Sequence, residues 1–281
     1  MMRIVRLRAP AKINLDLRVL YRRPDGFHEL RTVFQAISIY DAIEARSRPA
    51  GEARISIAGD VEIEDNLIAR AAKLALAEMR ISADIEFTLE KLIPMGAGLG
   101  GGSSDAAAVL RAMPELVGSE MAADRMHALA AQLGSDVPFF LYGGTALGLG
   151  RGDEIYPLPA PAPMHGVLVA PSIHVSTAEA YRALSPLVAE GGRQAKLDDF
   201  ARVLWSGLLD EPRNDFEGPV FSLYPELAEI RERLAQAGAR VARMTGSGSA
   251  IFGLFEEAAA AMRAREALNR YRTFEFEFLR P

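Results

Sequence analysis

A glycine-rich segment in the first half of the chain limits the folds that this sequence can adopt. Five glycines fall within residues 96–102, and Ser103 and Ser104 follow them directly. Glycine lets the backbone adopt left-handed conformations and approach a ligand closely. Residues 105–113 then predict a helix, whose N-terminus would present unpaired N–H groups and partial positive charge. The segment therefore predicts a phosphate-binding loop, with an ordinary serine-capped turn as the simpler alternative.

The common phosphate-loop motifs do not account for this segment. None of the four lysines follows a glycine, which excludes a Walker A loop. Gly96 to Gly101 match the dinucleotide-binding spacing, but no acidic strand end follows at the required distance. The H-R-D and D-F-G motifs of protein kinases are also missing from the sequence.

Composition excludes several classes of protein. The 281 residues are 49% hydrophobic and 25% charged, as expected for a globular chain with a sizeable core. The net charge of −5 argues against nucleic-acid binding through bulk charge. The absence of cysteine excludes disulfides and thiol nucleophiles, and the four histidines lack metal-ligand spacing. No apolar run is long enough to cross a membrane, so we expect a cytoplasmic protein without a nucleic-acid or membrane partner.

Strand and helix patterns mix without strict alternation, which favours an α+β fold. Strands are predicted at 3–8, 12–20, 34–47, 53–58, 84–91, 166–170, 239–244, 249–255 and 273–279. Helices are predicted at 66–79, 105–113, 120–133, 177–184, 198–208, 225–237 and 257–271. Four prolines between Pro157 and Pro163 predict a stiff linker. We therefore expect domains at 1–156 and 165–281, joined by a linker at 157–164.

Three further features are candidates for chemistry. A second glycine-rich loop, Thr245-Gly246-Ser247-Gly248-Ser249, lies between two predicted strands. Asp136 follows a predicted helix and precedes a Pro-Phe-Phe run, where a half-buried carboxylate could accept a proton from a substrate hydroxyl. Lys12 lies on the polar face of the second predicted strand, where an ammonium group could attract an anionic substrate. Taken singly, each feature is also compatible with a hairpin, a post-helix turn or a solvated lysine.

Three segments together resemble the GHMP kinase superfamily. They are Pro10-Ala11-Lys12-Ile13-Asn14-Leu15, the stretch from Pro94 to Ala107, and Thr245 to Ala250. Their order and spacing fit over nearly the whole chain. The resemblance implies a two-domain α+β fold, with an N-terminal domain like ribosomal protein S5 domain 2 and a ferredoxin-like C-terminal domain. It also implies ATP- and magnesium-dependent phosphorylation of an alcohol, in a cleft between the domains.

Two more segments narrow the resemblance to members that phosphorylate a molecule with a cytidine diphosphate moiety. They are Arg23-Pro24-Asp25-Gly26-Phe27-His28-Glu29-Leu30 and Gly134 to Phe140. Phe27 stands where such members often have tyrosine, so stacking on cytosine would survive but a phenol hydrogen bond would not. The resemblance implies a small-molecule substrate and a monomer or weak homodimer.

The resemblance assigns roles residue by residue. Lys12 and Asp136 match the catalytic pair. The ATP phosphate loop would comprise Pro94, Met95, Gly96, Ala97, Gly98, Leu99, Gly100, Gly101, Gly102, Ser103 and Ser104. Substrate would contact Asn14, Phe27, His28, Thr177, Tyr181, Gly246, Ser247 and Gly248. Asp105 is expected to point away from phosphate or towards the metal, whose ligands the resemblance leaves open.

Other functions remain open at this point. A homoserine, mevalonate or sugar kinase of the same superfamily would share the ATP loop, as would a diphosphomevalonate decarboxylase. A non-catalytic nucleotide-binding protein would share the scaffold, but it would not need both Lys12 and Asp136.

Overall fold

The computed structural model describes residues 2–61, 63–185, 209 and 212–281. Its strands are β1 Arg3–Arg22, β2 His28–Pro49, β3 Arg54–Gly59, β4 Ala83–Glu90, β5 Thr145–Leu149, β6 Glu154–Leu158, β7 His165–Ala170, β8 Val241–Met244, β9 Ile251–Phe255 and β10 Arg272–Phe276. Its helices are α1 Leu67–Met79, α2 Gly101–Val117, α3 Ala123–Leu133, α4 Val137–Tyr142, α5 Thr177–Leu184, α6 Glu217–Leu223, α7 Pro225–Gln236 and α8 Ala258–Ala267. The α+β prediction is confirmed.

The chain forms two compact units that do not follow the order of the sequence. The first unit contains Met1–Ala11, Ile39–Ile93 and Gly100–Tyr142, and the second contains Lys12–Ser38, Pro94–Leu99 and Gly143–Pro281. The predicted linker at 157–164 lies inside the second unit. The division into domains at 1–156 and 165–281 therefore stays a prediction.

In the first unit, helices α1 to α4 pack against one another, and α1 also contacts β3. β4 pairs with β2 in antiparallel register from Ala42↔Glu90 to Pro49↔Ala83, and β3 joins β4 in parallel. Asn66 precedes α1, and its side chain accepts the amide of Ile68 and so caps the helix. Alanines on its buried face let α1 pack closely against α2.

The second unit contains an antiparallel sheet in the order β10-β7-β9-β8. α7 packs on β8 and β9, and α8 packs on β7 and β9. Its core includes Val167, Val169, Leu227, Ile230, Leu234, Ile251 and Phe255. In the same unit the first residues of β2 pair with β5, and β5 pairs with β6.

The structure differs from the predicted strand pattern at two prolines. Strands were predicted at 3–8 and 12–20, but β1 runs without interruption through Pro10. The predicted linker begins inside β6, where Pro157 pairs with Ala146. β6 is the last strand of its sheet, and β1 pairs with β2 alone among the described strands. Such strands can place the missing N–H of proline on their unpaired side.

The helix predictions were mostly confirmed, with two kinds of error. α2 begins at Gly101, four residues before its predicted start, because glycine is acceptable in a first turn whose N–H groups have no intrahelical partner. α4 and α6 were not predicted. In α4, Pro138 occupies the first turn, where proline is tolerated. The helix predicted at 198–208 lies outside the described residues. In the part of the chain that the structure describes, no helix has the length and apolar character needed to span a membrane.

Candidate active site

The polar face of β1 is buried, which excludes the solvated alternative for its lysine. Lys12, Asn14 and Asp16 are 3%, 4% and 2% exposed. Lys12 Nζ donates to Asn14 Oδ1 at 2.8 Å and lies 5.3 Å from the centre of the Phe34 ring. A buried ammonium group requires polar partners, because losing water is costly for a charge. The ammonium group is therefore held in a defined position within the second unit.

Asn14 connects Lys12 to the second glycine-rich loop. Its Oδ1 accepts the amide of Gly246 at 2.9 Å and the hydroxyl of Thr245 at 3.3 Å. Its Nδ2 donates to Thr32 Oγ1 at 2.7 Å, and its backbone amide donates to Thr245 Oγ1 at 3.0 Å. One asparagine thus fixes the lysine and the start of the Thr245–Ser249 loop, although sequence analysis assigned it only a substrate contact.

The two glycine-rich loops of the second unit touch through their backbones. Gly98 has φ +78, and a Cβ there would lie 2.2 Å from the carbonyl oxygen of Thr245. Gly246 has φ +58, and a Cβ there would lie 3.0 Å from Gly98 Cα. Ala97 avoids a positive φ, and its carbonyl accepts the amide of Ala250 at 3.3 Å. Only glycine fits this approach at both positions, so the loops form one joined surface that includes Gly98 and Gly246.

Asn214 also binds the second glycine-rich loop. It was not among the predicted site residues. Its Nδ2 donates to the carbonyls of Met244 and Gly246, both at 2.8 Å. Thr177 and Ser247 join the same region, with their hydroxyl oxygens 3.1 Å apart. The only signal in the sequence was the polar pair Asn214-Asp215 before Phe216.

The N-terminus of α2 belongs to the first unit and has no side-chain cap. Gly100 precedes it with φ +69, and Gly101, Gly102 and Ser103 provide its first N–H groups. Ser104 is 1% exposed, and its Oγ has no hydrogen-bond partner among the described residues. Free amides, the helix dipole and a spare hydroxyl favour an anion at this end. Residues 94–99 of the predicted phosphate loop belong to the second unit.

Asp136 lies in the turn between α3 and α4 and is half-buried, as expected. It belongs to the first unit, whereas Lys12 belongs to the second. Their action as a catalytic pair stays a prediction.

A group of three buried charges lies behind the start of α2. Lys91 Nζ donates to Asp105 Oδ2 at 2.8 Å and also to Asp41. Burial raises the pKa of Asp105 to about 7, although Lys91 beside it has the opposite effect. Burial would lower the pKa of Lys91, but the two carboxylates raise it overall. Asp105 thus accepts a hydrogen bond from Lys91. Sequence analysis missed this partner, although the small number of lysines, four in the whole sequence, was a signal that pointed to each of them.

Two of the predicted base-binding residues, Phe27 and His28, lie at the turn between β1 and β2, and Tyr181 lies in α5. His28 stacks on Tyr181 with ring centres 4.7 Å apart, and Tyr181 meets Phe216 edge-on. Phe27 is 52% exposed, with the guanidinium of Arg151 5.1 Å from its ring centre. Burial and the nearby charge of Arg22 lower the pKa of His28. This shift favours the neutral imidazole, in which one ring nitrogen can accept a hydrogen bond.

Comparison with known families identifies the class of protein. Residues 66–144 match the model of the GHMP kinases N terminal domain, and residues 192–272 match that of the GHMP kinases C terminal domain. A solved homoserine kinase from Cytophaga hutchinsonii shares the fold, with a TM-score of 0.75 at 22% identity over 98% of this chain and 94% of that one. The chain is a GHMP kinase.

Relatives at higher identity define the family within that class. Proteins named 4-diphosphocytidyl-2-C-methyl-D-erythritol kinase include one from Solibacter usitatus, 51% identical over 278 residues, covering 97% of this chain and 88% of the relative. One from Thermus thermophilus is 43% identical over 265 residues, covering 94% and 92%. A crystal structure of 4-(cytidine 5'-diphospho)-2C-methyl-D-erythritol kinase has a TM-score of 0.79 at 40% identity, covering 99% of both chains. The chain belongs to this family of kinases.

Proposed function

We propose that this protein transfers the γ-phosphoryl group of ATP to the 2-hydroxyl of 4-diphosphocytidyl-2-C-methyl-D-erythritol. The products would be the 2-phosphate and ADP, in the non-mevalonate (methylerythritol phosphate) pathway to isoprenoid precursors. The relatives with this name, which match nearly the whole chain, are the observation that carries the proposal. The buried lysine, the joined glycine loops and the uncapped helix are groups of the kinds that such a reaction would need, which supports the proposal. The proposal includes a cytoplasmic location and a monomer or weak homodimer.

ATP would bind through its phosphates. Gly101, Gly102 and Ser103 offer amides at the α2 N-terminus, and residues 94–99 supply the preceding loop. Among the described residues no three histidine or acidic side chains converge on one point. Magnesium in kinases is bound largely by substrate phosphates and water. The buried, unpartnered hydroxyl of Ser104 fits this arrangement and would hold the ion with the triphosphate. When bound, magnesium neutralises phosphate charge.

The transfer itself would depend on Lys12 and Asp136. The substrate hydroxyl oxygen attacks the γ-phosphorus while the bond from that phosphorus to the β,γ-bridging oxygen breaks. Asp136 would orient the hydroxyl and accept its proton. Lys12, held by Asn14, would offset the charge that develops on the phosphoryl oxygens. Positioning and charge neutralisation are the main contributions that phosphoryl transfer requires from a protein.

The cytidine end of the substrate would bind at the aromatic residues. Phe27 exposes a ring face for cytosine, and Tyr181 could cover the base from another side. Neutral His28 can hydrogen-bond the base, and Asn14 and Thr177 would contact the rest of the substrate. Gly246, Ser247 and Gly248 offer backbone and hydroxyl groups to the same molecule.

ADP release with four alcohols tests the proposal. Purified protein with ATP and magnesium is given the cytidyl substrate, homoserine, mevalonate or galactose. We expect turnover with the cytidyl substrate alone, and a loss of at least about 100-fold in kcat in Asp136→Asn. Asp124→Asn, at an exposed aspartate of α3, is the matched control and should retain wild-type activity. Turnover with another alcohol, or none in folded protein that binds ATP, would overturn the substrate assignment.

A further inference from the structure

The proposed reaction makes no direct use of the buried charges of Lys91, Asp41 and Asp105. Their side chains are 5%, 0% and 3% exposed. The two carboxylates accept from one ammonium group, with Lys91 Nζ 2.8 Å from Asp105 Oδ2. Burying three charges is costly and does not by itself favour folding. Their position in the first unit suggests what they contribute instead.

The three residues tie together the elements around the start of α2. Asp41 lies in β2, Lys91 directly follows β4, and Asp105 lies near the start of α2. Asp41 Oδ1 also accepts the amides of Leu92 and Ile93 at 2.7 and 2.9 Å. The backbone before the glycine-rich segment is therefore attached to β2, and the helix is attached to the same aspartate through Lys91.

The first residue of α2 rests directly on this group. A Cβ at Gly101 would lie 3.2 Å from Lys91 Nζ and 3.1 Å from Ile93 Cγ2. The ammonium group thus supports the helical turn whose N–H groups are free. A shift of Lys91 would change the position of those donors, and donors to a phosphoryl group act only in the correct geometry.

We propose that Lys91, Asp41 and Asp105 form a positioning network that fixes the N-terminal turn of α2 for binding the phosphates of ATP. The inference rests on the proposed function, because that function puts ATP at this turn. All three are positioning residues, since they act through the helix and need not touch the nucleotide. The network requires the hydrogen bond from Lys91 to Asp105, which we call the link. It does not require the negative charge of Asp105, since the carboxylate of Asp41 already balances the ammonium group.

Two substitutions at Asp105 separate the link from the charge. Asp105→Asn keeps a side-chain oxygen that can accept from Lys91, and it leaves a balanced Lys91–Asp41 pair. Asp105→Ala keeps that pair but removes the link to α2. We expect Asp105→Ala to weaken ATP binding at least tenfold and to raise KM for ATP similarly. In Asp105→Ala, KM for the cytidyl substrate should stay within twofold of the wild-type value. In Asp105→Asn, the ATP affinity and both KM values should stay within threefold of wild type.

Lys91→Met gives a second arm, with Lys73→Met at an exposed lysine of α1 as its control. ATP affinity is measured by calorimetry and KM values by ADP release, on protein whose folding is checked by circular dichroism. Selective loss of ATP affinity in Lys91→Met, with none in Lys73→Met, supports the network. If Lys91→Met does not fold, the Asp105 pair decides the question.

Equal loss for both substrates, or wild-type ATP affinity in Asp105→Ala, overturns the inference. An Asp105→Asn variant as impaired as Asp105→Ala also overturns it, because the link is then not the property that matters. These results are distinct from failure of the proposed function. In that case wild-type protein binds ATP without phosphorylating the cytidyl substrate, and the calorimetric comparison still tests the network.

Discussion

Replacing Asn14 by alanine should show that this residue holds the lysine and the second glycine-rich loop together. The asparagine side chain makes four hydrogen bonds in an environment that is 4% exposed. Two of its partners keep another hydrogen bond, since the Thr32 hydroxyl also donates to the Asp16 carbonyl and the Thr245 hydroxyl also donates to the Gly98 carbonyl. The Lys12 ammonium loses its hydrogen bond to Oδ1, and the Gly246 amide loses its bond to the same oxygen.

The magnitude follows from those two groups. A hydrogen bond to a charged group contributes about 1.5–3 kcal/mol, and a buried amide left without a partner costs about 1–3 kcal/mol. We expect Asn14→Ala to lower the free energy of unfolding by about 2.5–6 kcal/mol, a large part of the stability of an ordinary domain. Because Lys12 would lose its anchor, kcat should also fall by roughly tenfold or more.

Urea unfolding followed by circular dichroism measures the first effect, and ADP release measures the second. Asn269→Ala is the matched control, because Asn269 is exposed and lies in the turn after α8. The reasoning would be refuted if Asn14→Ala lowered the free energy of unfolding by less than about 1 kcal/mol, as the control does. Losing buried hydrogen bonds of this kind should cost more than that.

Three further outcomes are expected. Gly98→Ala should cost about 1–3 kcal/mol more in urea unfolding than Gly143→Ala, which has a similar φ but open space around its Cβ. Burial raises the pKa of Glu217, so the folded state binds more protons than the unfolded state at pH values above the ordinary pKa of glutamate. The stability of the wild-type protein should therefore fall relative to that of Glu217→Gln as the pH rises through this range. A difference that stays constant in urea unfolding at several pH values would contradict this. Since burial and Arg22 lower the pKa of His28, KM for the cytidyl substrate should rise only at pH below the usual imidazole range, and in Arg22→Gln the rise should move to higher pH; identical KM profiles would contradict the role of Arg22.

Much of the candidate site could be predicted from the sequence, because several of its parts are short segments whose conformation depends on neighbouring residues. The glycine segment, the helix after it and the loop between β8 and β9 each follow from short-range preferences, and all were found. The alternation in β1 correctly put Lys12 and Asn14 on one face. The structure departs from the predicted strand pattern at Pro10 in β1 and Pro157 in β6. The effect of proline on a strand depends on whether that strand has an unpaired side, and only the sheet determines that.

The sequence by itself determined that this chain is an α+β protein with two glycine-rich loops and a lysine on a polar strand face. These properties depend on conformational freedom and side-chain alternation within a few residues. Only the tertiary structure decided which groups meet. Asn14 binds a loop more than 230 residues away in the chain, and Lys91 joins Asp41, 50 residues before it, to Asp105. A buried charge or amide must find a partner wherever packing supplies one, and no local pattern specifies where that is.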